Sequence, residues 1–339
     1  MVAGEFMPLT LFKNKSGKSF NHSTIPSFNH STGWWNSLIG GDFDSDGDVD
    51  YVAGNLGQNS RYKASEKEPL SIYVKDYDQN GTLDPILCQY IQGKCYPAHP
   101  RDQLAEQVPG MKRRFPSYAE YGRMTFDEIL TDEERAGSYV VKATELRSCY
   151  IENKGNNTFS LHPLPMEAQL SPVFGMLAGD YDGDGHLDIL LTGNSYATDT
   201  QVGRYDAGMG LLLRGDGRGN FAPASLSKSG FCADRDAKSL VQVTTGGDRP
   251  LVLVGNNGDT LQTFRPTRPM GRFVQPRPDE YAAVWKRSDG RTQRAEVYIG
   301  SGYLSQSARW LAVGNAAGPV TLMDFRGRRR TVTGPKTLP

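Results

Sequence analysis

The sequence predicts a mainly β protein made of repeated strand–turn–strand units, with one helical insertion and a small β module at the C-terminal end. Three observations predict it. An acidic turn with glycine at a fixed place occurs three times, always between short apolar runs. A second kind of turn, rich in Asn, Asp and Gly and closed by Phe, also occurs three times. Between 97 and 144 the alternation of apolar and polar residues vanishes, and helix-start patterns replace it.

The first acidic turn packs Asp42, Asp44, Asp46, Asp48 and Asp50 into nine residues. Asp42, Asp44, Asp46 and Asp50 offer side-chain oxygens, and position 48 offers its backbone carbonyl. So many carboxylates repel one another unless a cation sits among them. Hard oxygen donors suit calcium, which accepts many of them in flexible geometry. Gly47 permits the sharp turn that folds the donors around one point. The loop is not an EF-hand, because its twelfth position is Ala53 and apolar β-rich sequence follows at once. The second copy is Asp76, Asp78, Asn80, Thr82 and Asp84, with Asn80 replacing one carboxylate and Thr82 at the carbonyl position. The third is Asp180, Asp182, Asp184, His186 and Asp188, with His186 at the carbonyl position.

The pattern Gly-Asp-x-Asp-x-Asp-Gly-x-x-Asp followed by an apolar run resembles the FG-GAP/VCBS repeat of integrin α-like β-propellers. The resemblance implies a partial β-propeller and calcium at two or three sites. It implies side-chain ligands Asp42, Asp44, Asp46 and Asp50, then Asp76, Asp78, Asn80 and Asp84, then Asp180, Asp182, Asp184 and Asp188, with carbonyls from positions 48, 82 and 186. The second loop has three carboxylates rather than four and is expected to bind most weakly.

Taken in order, the chain opens on Val2-Ala3-Gly4, which parallels Val52-Ala53-Gly54-Asn55 and Leu191-Thr192-Gly193-Asn194. It is therefore expected to begin inside a repeat, as the C-terminal part of a longer protein with further blades and any export signal upstream. Leu9 to Phe20 predicts a hairpin that returns at Tyr150–Phe159 and Leu211–Phe221, because Asn, Asp and Gly tolerate left-handed backbone. That hairpin also accounts for Arg214-Gly215-Asp216, which spells an integrin-recognition tripeptide. Phe20-Asn21-His22-Ser23-Thr24 recurs at Phe28-Asn29-His30-Ser31-Thr32 and is expected to form a solvated loop or edge hairpin. Trp34 and Trp35 are expected to pack between repeats.

The second repeat is interrupted by the helical insertion. Helices are expected at Arg101–Val108 and Tyr118–Met124, and from the capping box of Thr125 and Glu128 to about Gly137. A segment this long between strands is expected to serve recognition or an interface. His99, Arg101 and Asp102 have the residue types of an acid/base and anion-binding group, or simply of a prolyl loop whose Arg and Asp pair locally. Tyr96, Phe115, Tyr118 and Tyr121 beside Lys112, Arg113, Arg114 and Arg123 either form a recognition surface or pack the insertion onto the sheet. Cys88 and Cys95 flank the turn Gln92-Gly93; they face each other as a disulfide or stand as isolated small apolar residues. Residues 238–266 form a degenerate repeat in which Thr245-Gly246-Gly247-Asp248 keeps one carboxylate, so no metal is expected there.

After Arg265-Pro266, short strands with tight turns resume. The run from Gly300 to Arg309, with Tyr303-Leu304-Ser305-Gln306-Ser307, resembles the ASPIC/UnbV-type C-terminal module, which implies architecture more than activity. The expected units are propeller blades over 1–266, the first truncated, and the C-terminal module over 267–339.

Lys plus Arg and Asp plus Glu both total 38, so no net field argues for nucleic acid. No apolar run is long enough for a membrane-spanning helix. Two function classes follow. One is a calcium-binding, extracytoplasmic scaffold with a protein or glycan ligand and no catalysis of its own. The other is a hydrolase acting on glycan or phosphate ester, with its active site at the insertion.

Overall fold

Alternating apolar runs make strands, and the acidic and Asn/Gly turns fold them back antiparallel. The computed structural model describes residues 1–200, 202–244, 248–314 and 316–333. β1 (Glu5–Met7) pairs with β4 (Gly33–Trp34), and β2 (Leu11–Lys15) pairs with β3 (Ser19–Ser23). The duplicated pentapeptide takes two shapes. Its first copy lies in β3 with Phe20 exposed, as expected of an edge hairpin. Its second copy enters a 3-10 turn started by Pro26 and buries Phe28. There the buried Ser31 hydroxyl accepts from the Leu9 N–H at 2.9 Å and donates to the Phe28 carbonyl at 2.7 Å.

β5 (Ser37–Gly41) and β6 (Asp50–Gly54) flank the first acidic loop. The chain then leaves this sheet. It builds β7 (Leu70–Lys75), β8 (Asp84–Ile91), β9 (Lys94–Pro97), α1 (Arg101–Gln107), α2 (Gly110–Arg114), α3 (Tyr118–Tyr121), α4 (Phe126–Ile129), α5 (Asp132–Arg135) and β10 (Tyr139–Ala143). These strands form a sheet of order β10-β7-β8-β9. Only then does β11 (Cys149–Asn153) return to β6, with Tyr150 opposite Val52, and β12 (Phe159–Pro163) completes the order β12-β11-β6-β5. The first two acidic loops are thus not successive repeats. The sheet that carries the second loop is nested inside the first, between its second and third strands.

The third loop lies in an uninterrupted sheet of β13 (Val173–Gly179), β14 (Asp188–Gly193), β15 (Leu211–Gly215) and β16 (Phe221–Ala224). After a short helix, α6 (Leu226–Ser229), come β17 (Ala237–Val243), β18 (Leu251–Asn256) and β19 (Gln262–Phe264). Residues 245–247 of the degenerate turn lie outside the described residues. β13 packs between β5 and β17, so the first strands of three sheets sit side by side. Ile39, Val52, Met176, Ile189 and Leu213 fill the space between the first and third of the loop-bearing sheets. Burial of each such side chain stabilises by roughly 1.5–3 kcal/mol.

The C-terminal part has its own core of Val274, Ala283, Trp285, Val320 and Leu322. Its strands are β20 (Phe273–Val274), β21 (Glu280–Lys286), β22 (Thr292–Glu296), β23 (Leu311–Ala312), β24 (Val320–Asp324) and β25 (Arg329–Val332). They pair as β20-β23 and β22-β21-β24-β25, and β22 lies against β5. The fold is mainly β, in several antiparallel sheets, and none of the described sheets closes on itself.

The helices pack on β8. Ile86 and Cys88 share one core with Leu104, Met111, Phe115, Tyr121 and Phe126. Phe115 and Tyr121 are therefore packing residues rather than a displayed surface, whereas Tyr118 is exposed. The helix expected over Tyr118–Met124 stops at Tyr121, and α2 falls in a stretch not expected to be helical. The capping box at Thr125 is present, but its helix ends at Ile129 because Leu130 turns extended (φ −123°, ψ 116°). Thr131 and Glu134 then open α5 with a capping box of their own. Cys88 stands opposite Pro97 and Cys95 opposite Tyr90, so the two thiols are diagonal neighbours, and both are free.

Candidate metal centre

The three acidic loops fold alike. In each, the ninth aspartate accepts from the second backbone N–H: Asp50 Oδ2 from Phe43 at 3.1 Å, Asp84 Oδ2 from Tyr77 at 2.9 Å, Asp188 Oδ2 from Tyr181 at 2.8 Å. The fifth side chain accepts from the seventh N–H: Asp46 Oδ1 from Asp48 at 2.9 Å, Asn80 Oδ1 from Thr82 at 2.7 Å, Asp184 Oδ1 from His186 at 2.8 Å. The sixth position, Gly47, Gly81 or Gly185, takes φ of 95°, 88° or 88°, which a side chain would disfavour.

This winding gathers carboxylates. Ligand-capable oxygens of Asp42, Asp44 and Asp46 lie within 4.8 Å of one another, as do those of Asp76, Asp78 and Asp84, and those of Asp180, Asp182 and Asp188. Asp48, Thr82 and His186 occupy the position whose carbonyl was expected to ligate. The His186 ring turns elsewhere, with Nδ1 3.4 Å from an Arg287 nitrogen. Asn80 spends its amide on Asp78 Oδ2 at 3.1 Å.

Loops one and three share a further tie. Asp50 Oδ1 accepts from the Asn153 N–H at 2.8 Å, and Asp188 Oδ1 from the Gly215 N–H at 3.0 Å. Each bond fastens the loop to the end of the third strand of its sheet, which makes β11 the counterpart of β15. Burial pushes the Asp50 and Asp188 carboxyls up to about 7, and the Asp42 and Asp48 carboxyls up to about 6. Burial also raises Asp44 and Asp180. In the second loop, by contrast, the Gly81 N–H holds Asp76 below the usual carboxylate range.

Asp42 is 1% exposed, and its Oδ1 is buried without a hydrogen-bond partner. A buried oxygen left unmatched is costly. A divalent cation among hard oxygens would satisfy it, so the donor set of the first loop fits calcium.

His99, Arg101 and Asp102 serve the packing of the insertion. His99 Nε2 accepts from the Leu87 N–H at 3.1 Å, which fixes the neutral ring against β8. Arg101, 9% exposed, donates from Nε to the Phe115 carbonyl at 2.6 Å and pairs with Asp102 at 2.8 Å. Asp102 also accepts from the Tyr118 hydroxyl. His99 thus bonds to the sheet, while the other two bond within the helical segment.

Sequence reasoning missed the C-terminal groups at the first loop. Gln293 Nε2 donates to the Asp42 carbonyl at 2.9 Å and the Arg294 N–H to Asp42 Oδ2 at 3.1 Å. Nothing local announces such a contact, because its partners lie about 250 residues apart.

Among known proteins, the FG-GAP repeat family model matches residues 174–213, which run from β13 through the third acidic loop and β14 into β15. No curated protein matches the chain.

Proposed function

We propose that this chain is a calcium-binding, extracytoplasmic scaffold that presents a protein- or glycan-binding surface and carries out no catalysis. The observation that carries the reading is the common winding of the three acidic loops, which in each case draws three carboxylates within 4.8 Å. The FG-GAP repeat supports it, since such repeats are associated with adhesion-type scaffolds that often bind calcium. On this reading the ligands are Asp42, Asp44, Asp46, Asp50 and the carbonyl of 48, with their counterparts in the other two loops. The sheets of residues 1–266 are blades of a β-propeller, and 267–339 form a separate β module. The neighbouring first strands β5, β13 and β17 are what blades around one axis require.

Location outside the cytoplasm suits this reading, since calcium is abundant enough there for loops of modest affinity. Among the described residues no helix is long and apolar enough to cross a membrane. The insertion supplies the recognition surface: Tyr118 is exposed, and the Arg101 guanidinium lies 5.2 Å from its ring centre. A ring of this kind stacks on apolar sugar faces or on side chains of a partner.

Thermal unfolding tests the reading. Calcium that binds only the folded chain raises the melting temperature by mass action. Metal-free protein should melt lower, and added calcium, but not magnesium at the same concentration, should restore it. A melt indifferent to calcium overturns the proposal.

A further inference from the structure

The C-terminal module does not merely sit beside the first acidic loop; it holds that loop's leading aspartate on two sides. The Arg294 N–H occupies Asp42 Oδ2 at 3.1 Å, and Gln293 Nε2 occupies the Asp42 carbonyl at 2.9 Å. With Oδ2 and the carbonyl so engaged, Oδ1 is the one side-chain oxygen of Asp42 without a partner, and it is buried. Gln293 is itself held, because its Oε1 accepts from Arg287 at 3.3 Å. Arg287, 5% exposed, reaches across to Ser45 Oγ at 3.2 Å and to His186 Nδ1 at 3.4 Å, so one buried guanidinium touches both the first and the third loop. Thr292 closes over the turn, within 3.8 Å of where a side chain on Gly47 would begin. Among the described residues the second loop has none of this: the same construction at Gly81 meets nothing within 4 Å.

We propose that the β21–β22 hairpin of the C-terminal module is part of the first loop's cation site, so that calcium binding there and docking of the module stabilise each other. The inference rests on the calcium reading above. Its physical basis is that a ligand oxygen binds best when outer hydrogen bonds fix its orientation, and removal of such a partner typically lowers metal affinity about 10- to 100-fold. The coupling is reciprocal: whatever the docked module adds to calcium affinity, calcium adds to docking. Gln293 is then a positioning residue, acting on the cation through Asp42.

The test uses the full chain and calcium alone as probe. Calorimetric titrations are run in two backgrounds. In one, Asp78→Asn and Asp182→Asn weaken the second and third loops and leave the first to be read. In the other, Asp44→Asn and Asp182→Asn leave the second. Gln293→Ala should weaken calcium about tenfold or more at the first loop and leave the second loop unchanged. In the unmodified chain, hydrogen exchange of the β22 amides should slow on adding calcium, and Asp46→Asn should abolish that response. This second arm needs no change in the module and stands even if Gln293→Ala folds poorly. First-loop affinity within twofold of its parent, or β22 exchange indifferent to calcium while the second loop binds normally, overturns the inference alone. Absence of calcium binding at every loop overturns the calcium reading, and the inference with it.

Discussion

The backbone N–H of Asn55 donates to Ser148 Oγ at 3.0 Å, across the two ends of the nested sheet. The Asn55 amide also donates to the carbonyls of Glu145 at 3.0 Å and Arg147 at 3.2 Å, and its Oδ1 accepts from the Leu56 N–H at 2.8 Å. Asn194 stands at the same point after β14 and bonds in the same manner to the carbonyls of Gly208 and Arg235. The asparagine that ends each of these strands therefore clamps the departing chain to the segment that returns.

Asn55→Ala should cost about 2–3 kcal/mol, because it removes the amide that donates to the part-buried carbonyls of Glu145 and Arg147 and the oxygen that accepts from the buried Leu56 N–H. Urea unfolding reads the loss as a lower midpoint. A cost below about 0.5 kcal/mol, the size of an ordinary surface change, would show that the clamp does not hold the nested sheet.

The insertion should behave as a packed body with one exposed aromatic. Phe126 is 1% exposed, with its ring centre 4.6 Å from that of Tyr73 on β7. Phe126→Ala should cost about 3–5 kcal/mol, as large cavities in cores do. Tyr118→Ala, at an exposed ring, should change stability little while weakening capture of a partner. Equal effects of the two substitutions on stability would refute this division of roles.

The acidic loops and Asn/Gly hairpins were legible because each is local. The aspartates at alternate positions and Gly47, Gly81 and Gly185 specify the turn without reference to the rest of the chain. The nesting was not legible, since the apolar run Cys149–Ile151 suits a third strand beside either loop's pair. What decides it is long-range: the pairing of Tyr150 with Val52 and the bond from the Asn153 N–H to Asp50. One sign was present, in that two acidic loops precede a single outer hairpin at 150–159. In the insertion, aromatics beside arginines matched the composition of a recognition surface, but spacing within short helices could not tell Tyr118 from the buried Phe115 and Tyr121. The contact of Gln293 and Arg294 with Asp42 depends wholly on docking.

His99 gives the fold a defined acid sensitivity. Burial lowers its pKa below the ordinary 6.5, and its Nε2 must stay unprotonated to accept from Leu87. Below pH 6.5 the unfolded chain binds a proton that the folded chain resists, so the His99 contribution to stability is complete above that value and is lost as the pH drops through it, opposite in sign to the gain from the raised carboxyls of Asp42, Asp48, Asp50 and Asp188 in the metal-free chain. His99→Gln should remove the His99 share of the pH dependence between pH 7 and 5, and a slope unchanged from the parent's would contradict this role.

Charge count should rank the loops. Asn80→Asp restores the fourth carboxylate of the second loop and should strengthen calcium there about tenfold, since affinity in such loops follows ligand charge. Weaker binding in the variant would mean that the bond from Asn80 to Asp78 matters more than the added charge.

Calorimetric titration of the unmodified, metal-free chain with calcium tests the central claim most directly. The account predicts saturable binding at two or three sites, with the first and third loops tighter than the second, and loss of the corresponding site in Asp46→Asn and Asp184→Asn. A folded, metal-free chain that takes up no calcium at millimolar concentration would contradict it.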